Sequence, residues 1–404
     1  MKRKRPKIQT TVKIVTMLQA DWLVAPFTKA VVTALGAGNI KFVGGAVRDT
    51  LLGLEVADID AATVHKPAET MALLKAASIK VIPTGLKHGT VTAVQGGQTI
   101  EITTLRIDTE TDGRHAEVAF TTDWLEDAKR RDFTFNALYT APDGSLFDPF
   151  EGLIDLKAGT VRFIGDAGER IEEDALRILR FFRFYGKYGK GEPNVEAMAA
   201  CSAKRTMLAR LSVERVRDEL LKILAQPSPD EVLALMEQCG VLQKIFGNRY
   251  SSEKITAFIH SGAQLNAPNN PLVRLYLLGQ PSLNAVASTR KFKLSNDERR
   301  FLVRLEEMQS GPCPKAEREI HQSIYKYGAD VVRACAVGED AELYRLIARV
   351  CGSWTVPQMP VQGSDLLRAG WDAGPNVGAC LKDMEARWIE SDFSLSKSQL
   401  LDSI

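Results

Sequence analysis

Apolar and polar positions in the first third of the chain change period several times. Asp21–Leu35 repeats apolar residues at helical spacing, and so does Ala68–Ala77. Between them Ile40, Phe42 and Val43 predict a strand. Gly44-Gly45 turns the backbone, Ala46–Leu52 returns to helical spacing, and Gly53 closes that helix. Val56–Asp60 predicts a second strand with Ile59 inward and Asp58 and Asp60 together on the other face. Three β-branched runs follow at Lys80–Ile82, Thr90–Val94 and Gln98–Leu105, and Gln95-Gly96-Gly97 joins the last two as a hairpin. Glu101, Thr103 and Leu105 share one face of the last run, which sets Glu101 across the sheet from Asp58 and Asp60. Asp108–Thr122 is polar and turn-rich around Asp112-Gly113-Arg114-His115, and is expected to be an exposed loop. Asp123 then caps one predicted helix through Ala137. Asp143-Gly144 is a turn, and Leu146–Pro149 a short edge strand.

Beyond Asp155 strand signals nearly vanish. Glu172–Gly186 carries acids in its first turn, arginines later and glycine at its end, a strong helix pattern. Ser212–Leu224 opens on a capping serine, and Gln226–Asp230 is a proline-punctuated connection. Glu231–Arg349 reads as successive helices, and Gly363–Ile404 as a last helical unit. The fold class is therefore α+β: a head with a mixed β-sheet, followed by an all-helical remainder.

Composition changes this picture little. A chain of 404 residues exceeds a single core. The 52 basic residues nearly balance the 50 acidic ones, so any nucleic-acid surface must be a local patch. Lys187, Lys190, Lys204, Arg205, Arg210, Arg215 and Arg217 are the candidates for one. The six cysteines include no close pair, which suits a reducing compartment and a cytoplasmic protein. No apolar run is long enough to span a membrane. The basic start, MKRKRPKIQTTVKIVT, reads as a solvated tail.

Chemistry enters with Asp58 and Asp60. Adjacent carboxylates repel unless a cation lies between them, and hard oxygen ligands suit Mg²⁺. Backbone N–H groups after Gly44 and Gly45 face an anion such as a phosphate, within reach of Arg48. The combination implies phosphoryl or nucleotidyl transfer, with Asp58 and Asp60 as metal ligands and Glu101 as a third carboxylate. Asp132 and Asn136, four residues apart, could hold a ribose hydroxyl, with Arg131 on a phosphate. The alternative is a charged helix face. Asp174 and Arg177 could be a simple ion pair. Together they also offer an acceptor beside donors, matching cytosine or adenine and refusing uracil or guanine. Arg180 joins this nucleotide-binding set, although a structural or backbone contact is its default.

The strings GGAVRDTLLG…DID, RRDFTFNAL, DPFEGLIDLKAGTVRFIG, EEDALRILRFFRF and SVERVRDELLKIL resemble, in order and spacing, the motifs of class II tRNA nucleotidyltransferases (CCA-adding enzymes) and bacterial poly(A) polymerases. The resemblance covers roughly residues 41–224. KFKLSNDERR and GSDLLRAGWDAGPNVGACLKDMEARW resemble the weaker C-terminal pattern of the CCA-adding branch. It implies a nucleotidyltransferase head (20–150), a base-recognising neck (151–225), a body (226–350) and a tRNA-binding tail (351–404). It also implies roles matching those above for Asp58, Asp60, Glu101, Arg131, Asp132, Asn136, Asp174 and Arg177, with Glu214 and Arg215 on a helix that supports the last pair. The activity implied is Mg²⁺-dependent addition of C, C and A to tRNA from CTP and ATP. Poly(A) synthesis and CC-only or A-only addition are the rival activities, and an inactive RNA-binding protein is the rival class. Ala128 stands where the family commonly has leucine, and the DGRH loop favours complete CCA addition.

Overall fold

The computed structural model describes residues 17–108, 118–248, 250–280 and 282–402. The basic start and the Asp112–His115 turn lie outside them. The described residues divide into two compact units: the chain up to Ser212 together with Leu235–Lys244, and the rest.

The first unit is built on a seven-stranded sheet. Its strands are β1 (Ile40–Val43), β2 (Ile59–Thr63), β3 (Lys80–Gly85), β4 (Thr90–Gln95), β5 (Gln98–Thr104), β8 (Tyr139–Thr140) and β9 (Leu146–Phe147). They are ordered β3-β4-β5-β2-β1-β8-β9; β2 and β5 run parallel and the other neighbours antiparallel. The amphipathic alternation of β4 and β5 dictates their faces. Val91, Ala93, Ile100 and Ile102 are buried, and Glu101 between them is exposed. Gly96 and Gly97 both take positive φ at the hairpin between them, as a two-residue turn of matching twist requires.

Several boundaries differ from the sequence pattern. Pro26 divides the first predicted helix into α1 (Asp21–Val24) and α2 (Pro26–Leu35). The helix after β1 is α3 (Gly45–Leu51), and α4 (Pro67–Ala76) follows β2. β2 starts at Ile59 and not at Val56: the small buried residues Ala61, Ala62 and Thr63 are what fit between β1 and β5. Asp58 therefore lies just before the strand and Asp60 within it. The flanks of the predicted exposed loop pair as a ribbon, β6 (Arg106–Asp108) with β7 (Val118–Phe120).

The predicted helix Asp123–Ala137 is two pieces, α5 (Trp124–Lys129), capped by the Asp123 side chain, and a 3₁₀ turn at Thr134–Ala137. Phe133 between them is extended and bridges to Phe163. Phe133 and Phe135 are both buried, in a cluster with Phe163, Phe181, Phe184 and Tyr188 at ring separations of 4.7–6.4 Å. Two side chains spaced i,i+2 cannot enter one core from one face of an α-helix, so the helix breaks.

The rest of the described chain is helical, beginning with α6 (Gly152–Ala158), α7 (Ala167–Glu173), α8 (Leu176–Tyr188) and α9 (Val195–Lys204). The predicted helix Glu172–Gly186 is thus also divided, because Asp174 is extended and its carboxylate caps α8 by accepting from the Leu176 N–H at 3.1 Å. The second unit opens with α10 (Val213–Leu224). Its last helices pack Val361, Leu366, Met384, Trp388 and Leu400 into a separate buried cluster. Among the described residues no helix is long and apolar enough to cross a membrane.

Candidate active site

A cleft of about 440 Å³ opens on the exposed face of the sheet, lined among others by Asp60, Glu101, Thr103, His88, Arg106, Arg130 and Arg131. The parallel register of β2 and β5 sets Asp60 beside Glu101, which is where the sequence pattern put them. Burial, then the charge of Glu101, push the Asp60 carboxyl up to about 6; Asp58 adds to this, while Arg131 and Arg48 oppose it. Three carboxylates and two guanidinium groups therefore share one field. Asp58 itself is exposed at the strand entrance.

Gly44 takes φ +72° after β1, and a side chain there would come within 3.9 Å of the Arg131 guanidinium. The glycine turn and Arg131 thus meet at the cleft. Arg131 is held from behind: its Nε donates to the Tyr139 hydroxyl at 2.9 Å and its Nη2 to Asp127 at 3.3 Å. Burial alone would lower the Arg131 pKa, but Tyr139 and Asp127 hold it above its usual value.

The other nucleotide-binding candidates form a buried chain of polar contacts. Arg180 pairs with Asp132 at 2.6 Å, Asn136 donates to Asp132 at 2.9 Å, and Arg48 donates to Asn136 at 2.6 Å. Arg48 also pairs with Asp49 at 2.8 Å, and Tyr188 donates to the same carboxylate at 2.8 Å. Burial raises the Asp132 carboxyl, but Arg180 and the hydrogen bonds from Asn136 and Phe133 hold it below the usual range. Asp132 and Asn136 meet as expected, although through a 3₁₀ turn in place of a helical one. Arg48 faces Asp49 and Asn136.

Arg177 pairs with Glu173, the acid that precedes Asp174. Its Nη1 donates to Glu173 at 2.6 Å and to the Arg170 carbonyl at 2.9 Å, and its Nη2 to the Arg130 carbonyl at 2.7 Å. Asp174 stays adjacent because the Arg177 N–H donates to its carbonyl at 3.0 Å. In the second unit Glu214 pairs with Lys293 at 2.8 Å. The groups that sequence reasoning missed are Asp127, Tyr139 and Glu173, whereas the Arg48–Asp49 pair was an alternative the sequence offered. Asp127 stands three and four residues before Arg130 and Arg131, a helical pairing interval that was available as a signal. Nothing in the local pattern marks Tyr139.

A family profile described as the poly A polymerase head domain matches residues 40–162, and one described as a probable RNA and SrmB-binding site of polymerase A matches 193–248. The mouse protein named CCA tRNA nucleotidyltransferase 1, mitochondrial, is 35% identical over 91% of this chain and 86% of its own length. The CCA-adding enzyme of Levilactobacillus brevis is 32% identical over 90% and 92%. Among solved structures, the Bacillus stearothermophilus CCA-adding enzyme in complex with CTP superposes with a TM-score of 0.73 at 26% identity, covering 91% of this chain and 94% of that one. The Thermotoga maritima CCA-adding enzyme complexed with tRNA shares the fold, with a TM-score of 0.63 at 20% identity over 96% and 98%. With relatives of this identity aligned along nine-tenths of its length, and with the carboxylates and arginines of its head gathered in one cleft, this chain belongs to the family of CCA-adding tRNA nucleotidyltransferases.

Proposed function

We propose that the protein adds C, C and A to tRNA 3′ ends without a nucleic-acid template, using CTP and ATP, and that the cleft at Asp58, Asp60 and Glu101 is its catalytic centre. The observation that carries the reading is geometric: the parallel register of β2 and β5 sets Asp60 beside Glu101 in the cleft that Arg130 and Arg131 also line. Enzymes of this class use a divalent metal, and we take it to be Mg²⁺, held by Asp58 and Asp60. The donor set fits in its chemistry: the Asp58 and Asp60 carboxylates offer hard oxygens and leave positions on the ion open. That suits a cation which completes its shell with water and phosphate. Bound there, the ion would lower the pKa of the attacking hydroxyl and offset charge on the triphosphate.

The chain's own residues do the rest. The N–H groups after Gly44 and the Arg131 guanidinium receive the triphosphate. Asp132 and Asn136 stand on the ribose side, braced by Arg180 and Arg48. The Glu101 charge adds to the field at Asp60 and so favours cation binding. The tRNA 3′-hydroxyl attacks the α-phosphorus in line and pyrophosphate leaves. Arg177 has three of its five N–H donors engaged among the described residues, leaving the Nε–H and one Nη2–H to meet a base beside Asp174. A reader held this rigidly discriminates by geometry.

In this reading residues 20–150 form the catalytic head, 151–225 the base-reading neck, 226–350 the body and 351–404 a tRNA-binding tail. The location is cytoplasmic, which the six unpaired thiols support. Cell fractionation tests that, and recovery in an organelle would overturn it. The activity is tested with tRNA transcripts lacking CCA, CA or A, each supplied with single nucleotides. Defined CCA ends are expected; long A tracts would establish the poly(A) alternative. Asp58→Ala should abolish transfer, and Arg177→Ala should let UTP and GTP compete. Normal discrimination by Arg177→Ala would remove the base-reading role.

A further inference from the structure

Asp127 lies within α5, behind the cleft, and is 1% exposed. Four donors converge on its carboxylate. Oδ1 accepts from Arg130 Nε at 2.8 Å and from the Arg106 N–H at 3.2 Å. Oδ2 accepts from the Tyr139 hydroxyl at 2.7 Å and from Arg131 Nη2 at 3.3 Å. Only an ionised carboxylate of this size accepts all four, since an amide must turn a donor toward one pair. Burial works against its charge, yet Arg131 and Arg130 keep it ionised.

The contacts continue in two directions. Tyr139, fully buried, accepts from Arg131 Nε, so Arg131 is fixed at two of its nitrogens. Arg130 has its side chain tied to Asp127 while its backbone carbonyl receives Arg177 Nη2 at 2.7 Å. The neighbouring Lys129 carbonyl receives Arg170 Nη1 at 2.9 Å, and Arg170 in turn pairs with Glu173, the partner of Arg177. The segment Asp127–Arg131 therefore touches both the arginine at the phosphate wall and the arginine assigned to the base.

We propose that Asp127 is a positioning residue that couples triphosphate capture to base selection, by orienting Arg131 directly and by fixing, through Arg130, the carbonyl that holds Arg177. The inference rests on the roles assigned above to Arg131 and Arg177. Asp127 touches neither nucleotide; it acts through the two arginines. Losing it loosens Arg131 and the Arg130 segment that holds Arg177 together, whereas losing the Tyr139 hydroxyl loosens only Arg131.

That difference is the test. In steady-state assays on the full chain with tRNA ending in CC or lacking CCA, Tyr139→Phe should raise KM for CTP and ATP together by about tenfold, the loss of one hydrogen bond to a charged group. Its discrimination against UTP and GTP should be unchanged, and so should KM for tRNA. Asp127→Asn should raise the same KM values and also lower the kcat/KM ratio of CTP over UTP by about tenfold or more. A merely structural role would lower activity with all four nucleotides by one factor, and that result for a folded Asp127→Asn protein overturns the coupling. If Asp127→Asn does not fold, Asp127→Glu, which keeps the charge but displaces it, is read in the same way. An unchanged nucleotide KM in Tyr139→Phe also overturns the proposal. Arg177→Ala separates the two levels. If it loses selectivity while Asp127→Asn keeps it, only the coupling fails; if it keeps selectivity, the base-reading assignment fails and the coupling with it.

Discussion

Asp60→Asn should stabilise the metal-free protein while ending transfer. The Asp60 carboxyl is raised from 3.8 to about 6, so the folded protein binds this proton more tightly than the unfolded chain does. A group shifted in this direction contributes nothing against folding below the unfolded value near 3.8. Its ionisation opposes folding progressively from there, and fully above about 6. A shift of roughly two units at about 1.4 kcal/mol each sets a ceiling of about 3 kcal/mol at neutral pH. Asparagine keeps the shape and removes the charge, so the variant should recover most of that difference above about pH 7 and about half of it near pH 5. Because a chain of two units need not unfold in one step, the assay is urea-dependent hydrogen exchange at the amides of β2 and β5, in the presence of chelator. Divalent cation should raise protection in the parent protein and not in the variant. Equal protection of parent and variant at both pH values, or a gain independent of pH, would refute the carboxylate-repulsion argument.

Other positions give simpler tests. Glu151 enters α6 at φ +59°, a conformation that favours glycine, so Glu151→Gly should stabilise by about 1 kcal/mol in thermal unfolding. A side chain at Gly152 would meet the Thr134 carbonyl oxygen at 2.3 Å. Gly152→Ala should therefore displace the Thr134–Ala137 turn, cost about 2 kcal/mol or more and depress transfer through Asn136, as read by melting and primer extension. Arg274, 3% exposed, donates to the Leu224 and Gln226 carbonyls at 2.7 and 2.6 Å and to Asn269 at 2.8 Å. Arg274→Met should remove these charged hydrogen bonds and cost about 3 kcal/mol, seen by hydrogen exchange as lost protection at the end of α10.

The residue pattern alone determined the elements whose chemistry faces one way. β4 and β5 bury alternate residues, so period 2 fixed which face carries Glu101 and, with the parallel register, its place beside Asp60. α10 was legible for a related reason, since Leu220, Ile223 and Leu224 fall on one apolar stripe. The motifs around Gly44, Asp58, Arg131 and Asp174 pointed to the family that the relatives establish. The tertiary structure alone decided where segments are buried on more than one side. Phe133 and Phe135 must enter the same aromatic cluster, so the chain breaks helical periodicity between Arg131 and Asn136 and joins Asp132 to Asn136 by another path. Asp174 caps a helix, which leaves Arg177 to Glu173 and to a carbonyl 47 residues away. Asp127 looks like a surface acid in the sequence. It is buried because four donors, two of them on guanidinium groups, enclose it, and such a partnership exists only once distant strands have closed around it.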